Sequence, residues 1–148
     1  MLGILPRLQI VIVFGVCAFG AACSPSPGAA PAPDPSAVLQ TIPAANTATY
    51  DHIADMKKWR NPYLIVRADG IALLDSADSA EIILKPDEVL PALARQPATN
   101  WPYGRVVAAA ESTRSGTDQD AVAIRRNKGI LGGILEGAHV AVRWVPSA

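Results

Sequence analysis

Five prolines fall within thirteen residues, 24–36 (SPSPGAAPAPDPS), and this run divides the chain into parts with different physical prospects. Such a segment has too few apolar side chains to bury, and proline fixes φ and removes a donor, so it predicts an extended tether of polyproline II character. Residues 37–46 read as more of the same linker. The folding is then left to residues 47–148, about 100 residues, which is enough for one modest core and not two. Both cysteines, Cys17 and Cys23, precede that part, so the domain holds no disulfide and depends on its apolar core alone.

Ahead of the proline run, residues 1–7 bring a positive end through Arg7, and residues 8–22 form a 15-residue, mostly apolar stretch. A spanning helix needs about 20 such residues. Gly20-Ala21-Ala22 then leads into Cys23, the arrangement of a cleavable export signal with small residues before the cut. The segment resembles the signal peptide of a bacterial lipoprotein, with residues 1–22 as the signal. The resemblance implies that Cys23 is lipidated, becomes the first mature residue and holds the protein to a membrane. Gly20 stands where that family usually carries Leu. Plain secretion after the same small residues and an uncleaved anchor are the other two readings. The membrane is the cell membrane or the outer membrane, Ser24 in place of Asp favouring the outer one by the same resemblance, with the domain facing the periplasm.

Charge narrows the partner classes. Lys and Arg total 13 and so do Asp and Glu, so no basic footprint for nucleic acid exists. Aromatic content is 5%, which argues against a carbohydrate-stacking surface. The expected partners are the membrane, through Cys23, and an envelope protein.

Residues 49–59 predict a short helix stopped by Asn61-Pro62, because the residue before proline avoids helical ψ. Residues 63–68 and 71–75 predict a hairpin around Asp69-Gly70, a turn pair in which both central positions take positive φ. A third strand at 81–85, a helix from Pro86 to about Gln96, and a strand at 104–111 follow. The longest helix, capped by Asp118 or Asp120, runs to about Glu136 before Gly137, and a strand at 139–145 closes the chain. Gly129, Gly132 and Gly133 within that helix imply either close packing on the sheet or a break. The expected fold class is α+β: a small two-layer domain ordered β-β-β-α-β-α-β, with two helices on one face of a mainly antiparallel sheet. This order, the Asp69-Gly70 hairpin and the run from Pro102-Tyr103-Gly104 to Arg105-Val106-Val107 are similar to the periplasmic domain of biopolymer-transport proteins (the ExbD/TolR family). That likeness covers about half of the folded part and implies a shape, not coupling to proton flow.

No constellation carries a reaction. Asp51, His52 and Asp55 share one short stretch but offer no fourth metal ligand, and Asp75, Asp78 and Glu81 lack the alternating ligands and central Gly of a calcium loop. Neither a G-x-S-x-G element nor a cysteine occurs in the folded part, His139 stands alone, and the sequence names no catalytic base to go with Glu111-Ser112-Thr113. The expectation is a non-enzyme without metal or cofactor. The candidate partner or ligand patch comprises Trp101 and Tyr103, in a loop where such side chains can anchor a ligand, and Arg125 and Arg126, which with Lys128 form a basic cluster on the long helix. The bland alternatives are that the aromatics close the core and the cations are solvated. A soluble periplasmic protein binding a small ligand near Trp101–Tyr103 is the competing functional class.

Overall fold

The computed structural model describes residues 32–74, 80–113 and 116–146; Cys23, Asp75 and Asp78 lie outside them. The folded unit is an α+β domain built on one five-stranded sheet. Its strands are β1 (Tyr63–Val66), β2 (Ile71–Leu74), β3 (Glu81–Leu84), β4 (Val106–Glu111) and β5 (Ala141–Trp144), and its helices are α1 (Pro35–Gln40), α2 (Val89–Ala94) and α3 (Asp118–Gly137). Among the described residues no helix is long and apolar enough to cross a membrane.

The sheet order is β3-β2-β1-β4-β5. β2 pairs antiparallel with β1 and β3, while β4 runs parallel to both β1 and β5. The sheet is therefore mixed, not mainly antiparallel. Hairpin chemistry near Asp69-Gly70 dictates the first three strands, but α2 and α3 are crossovers that bring β4 and β5 back in one direction. The turn itself differs from expectation. Gly70 has φ of 156°, and among the described residues the one non-glycine with positive φ is His139, so Asp69 does not take the paired geometry.

Strand alternation sorts the side chains onto two faces. On one, Leu64, Val66, Ile71, Leu73, Leu84, Val107 and Ala109 meet Leu39 of α1, Val89 and Leu93 of α2, and Ile124, Leu131 and Leu135 of α3 in a single buried cluster. Three helices thus cover this face, not two. The linker reading of residues 37–46 is corrected accordingly: Leu39 is 0% exposed, and the compact unit begins at Ala32. The proline bias hides an ordinary helix start, with Asp34 Oδ1 accepting from Ser36 N at 3.0 Å and Pro35 in the first turn.

The second face is covered by the irregular segment 45–60, whose Tyr50, Ile53 and Trp59 pack on Val106 and Ala108. A regular helix was expected there. Instead two 3₁₀ turns form, Thr47–Thr49 and Met56–Lys58, each opened by an Asn or Asp side chain bonded two residues on (Asn46 to Ala48 N, Asp55 to Lys57 N). Those local bonds compete with helix propagation.

α3 is continuous for 20 residues. Its cap is Thr117, not Asp118 or Asp120: Thr117 Oγ1 accepts from Asp120 N at 3.1 Å, and Asp120 Oδ2 accepts from Thr117 N at 3.0 Å. This reciprocal pair is a capping box. At the other end the backbone passes through Gly137 and reverses at His139, φ 55°. Val140 N donates to Leu135 O at 2.8 Å and His139 N to Glu136 O at 2.9 Å, the paired bonds of a Schellman motif. His139 thus fills the left-handed position that Gly137 was expected to take, and β5 starts at Ala141. Neither close packing nor a break explains the helix glycines. A Cβ built at Gly129, Gly132, Gly133 or Gly137 would meet nothing within 4 Å, although each interior glycine forgoes about 1 kcal/mol relative to alanine.

Candidate functional site

Local chemistry around residues 99–106 sets the part of the surface nearest the expected patch. Gly104 has φ of 79°, and a Cβ there would meet Ala44 O at 2.5 Å and Pro43 O at 2.9 Å, so the chain entering from α1 lies directly against it. Asn61, 5% exposed, ties this crossing together. Its Nδ2 donates to Gly104 O and Val106 O, each at 2.7 Å, and its Oδ1 accepts from Tyr103 N at 3.1 Å. Arg105 secures the same corner, donating from Nε to His139 O at 2.7 Å and from Nη1 to Leu39 O and Ile42 O at 3.4 Å.

The four patch residues do not come together. Trp101 is 4% exposed and belongs to the helix-side core, so it cannot anchor a ligand; among the described residues its Nε1 meets no acceptor. Tyr103 packs on the opposite face, where its ring lies 5.1 Å from Trp59 and 6.3 Å from Tyr50, and its hydroxyl donates to Lys58 O at 3.2 Å. Arg125 and Arg126 are exposed on α3, which packs on the Trp101 side of the sheet. The basic cluster also loses Lys128, whose Nζ pairs with Glu111 Oε1 at 2.6 Å and lies 4.6 Å above the Trp144 ring. Arg143, which the sequence did not single out, closes the aromatic cluster. Its guanidinium stacks near Tyr50 and Trp59 and donates to the carbonyls of Tyr50 and Ile53.

Two of the polar recesses lie beside residues that the sequence singles out. One, of about 260 Å³, opens near the carboxyl ends of the parallel strands β1 and β4, among Tyr63, Arg67, Glu81, Glu111, Ser112 and Thr113. Its charges are already engaged. Arg67 bonds Asp69 Oδ1 at 3.0 Å and Glu81 Oε2 at 2.5 Å, which holds its guanidinium in the charged form, and Glu111 is taken by Lys128. Burial pushes the Tyr63 phenol above its ordinary value.

The other recess, of about 520 Å³, lies beside the Trp101–Tyr103 loop and is lined by Lys57, Trp59, Arg60, Thr99, Asn100 and Pro102. Here Lys57 and Arg60 are exposed, and no carboxylate among the described residues pairs with either. Asn100 Nδ2 donates to Gln96 Oε1 at 3.0 Å, which orients its amide. Two free cations, a hydroxyl and an amide suit an anionic group such as a carboxylate or phosphate. Nothing in the recess is a nucleophile with a base in reach. Among the described residues no three His, Cys, Asp or Glu side chains gather as a metal site, and Asp51, His52 and Asp55 all stand exposed.

Comparison with known proteins adds no relative: no family model, no curated protein and no solved structure matches the chain.

Proposed function

We propose that this is a lipid-anchored protein of the bacterial cell envelope, held to the membrane through Cys23 and acting by interaction, not catalysis. One observation carries the reading: the 15-residue apolar run 8–22 ends in Gly20-Ala21-Ala22-Cys23 and passes directly into a proline-rich spacer. Buried methylenes contribute about 0.8 kcal/mol each, so two acyl chains on one cysteine give stable anchoring. Because the folded unit starts at Ala32, residues 32–46 belong to the domain and not to a spacer. The test is processing in the presence of globomycin, which blocks the lipoprotein signal peptidase. Accumulation of the precursor supports the anchor, and unaffected maturation rejects it.

A second reading, a soluble periplasmic protein that binds a small ligand, is favoured by the recess at Lys57 and Arg60. Calorimetric titration with small carboxylates and inorganic phosphate distinguishes it. Heat that disappears in a Lys57→Ala/Arg60→Ala variant supports the reading, and no heat in the wild type removes it.

A further inference from the structure

The outward face of α3 is unlike a solvated helix surface. Val122 is 56% exposed, and Gly129 and Gly133 occupy its centre with open space above them. Strong helix formers would serve a merely wetted face better. Towards the helix start this face carries Arg126, and towards its end Glu136; both are exposed and have no side-chain ion pair among the described residues.

The spacing of these residues is self-complementary. Gly129 and Gly133 are four apart, Arg126 and Glu136 are ten apart, and both pairs are centred on position 131. At 3.6 residues per turn, successive positions rotate by about 100°, so each pair straddles one and the same meridian of the helix, opposite buried Leu131. A two-fold axis through that meridian at the level of residue 131 places Gly129 against Gly133 of a second copy and Arg126 against its Glu136. Each contact then occurs twice.

We propose that this face docks antiparallel on the same face of a second copy, the Arg126–Glu136 pairs setting register at both ends of a glycine-floored contact. Charge complementarity selects the occupant: a parallel pairing in register would set Arg126 against Arg126, which like-charge repulsion disfavours. The glycines let the axes approach closer than the usual 8–10 Å, and a symmetric pair of identical patches closes without leading to a filament. Exposed Val122, nine positions and so about 180° from Leu131, adds apolar area on the same meridian. A contact of one helix face is small, so the dimer is expected to be weak and concentration-dependent. The proposal goes beyond the anchor and does not rest on it, since all of its residues lie in the folded unit.

The experiment is sedimentation velocity on the full chain, as matured by its host and held in detergent, over a concentration series. The wild type should pass from monomer to dimer. Arg126→Glu and Glu136→Arg should each weaken association about tenfold or more, and the double reversal should restore it. Gly133→Leu should abolish the dimer while circular dichroism shows the helix intact. A wild type that stays monomeric throughout overturns the proposal. So does a dimer indifferent to both single reversals, or a folded double variant that fails to recover.

Discussion

Replacing Asn61 with alanine tests how the corner beneath the Tyr103–Val106 turn is held. The side chain is 5% exposed and makes three hydrogen bonds to backbone groups more than 40 residues away in the chain. Among the described residues Tyr103 N has no other backbone acceptor, so the substitution strands this part-buried donor, at a cost of about 1–3 kcal/mol. Gly104 O keeps the bond it accepts from Val106 N at 2.8 Å, so its loss is partial. With the two weakened carbonyl contacts each taken at the low end of the hydrogen-bond range, about 0.5 kcal/mol, the expected destabilisation is about 2–4 kcal/mol. Urea unfolding should show this as a midpoint lowered by about 1–2 M with unchanged slope, for a slope of about 2 kcal/mol/M. Asn61→Asp supplies an internal control, because an ionised carboxylate faces two carbonyl oxygens. Its pKa should be raised in the folded state, so stability relative to wild type is best below the unfolded value of about 3.9 and is lost as pH rises through the folded value. A loss below about 1 kcal/mol for Asn61→Ala, or an Asn61→Asp variant as stable as wild type at neutral pH, would refute the clamp.

Other substitutions probe separate links. Leu39→Ala, at a 0% exposed position in α1, should cost about 2–5 kcal/mol in chemical denaturation, and a change under 1 kcal/mol would return α1 to the status of a linker. His139→Gly relieves a left-handed backbone at φ 55°; set against glycine's extra chain entropy, it should raise stability by up to about 1 kcal/mol, and a destabilised variant would contradict the Schellman account. Burial raises the Tyr63 pKa above 10.0, so the stability it contributes is intact below that value and declines as pH climbs through the folded one. Tyr63→Phe should flatten that alkaline decline in denaturation midpoints taken across the range.

Local chemistry made parts of this fold legible and left others hidden. The β1–β2 hairpin, β3 and the long helix followed from turn residues and periodicity, which act between near neighbours. The parallel seating of β4 on β1 did not, since pairing Tyr63 with Ala108 depends on how two helices pack and not on any residue nearby. α1 is hidden by the prolines around it, although Asp34-Pro35 is itself a start signal. Thr117-x-x-Asp120 is a readable capping box, masked in the sequence by the acids that follow Thr117. At the candidate site the sequence singles out Trp101 and Tyr103, whereas the recess beside their loop is lined by other side chains. Trp101 is large and apolar enough to be taken into the core, which leaves the cleft to Lys57, Arg60, Thr99 and Asn100. Those are ordinary polar residues, 40 positions apart, with no motif to mark them.

The central claim concerns Cys23, and mass spectrometry of the mature N-terminal peptide tests it most directly. The account predicts a chain that begins at Cys23, with a diacylglyceryl group on its sulfur. An unmodified Cys23, or a mature chain beginning at another residue, would contradict it.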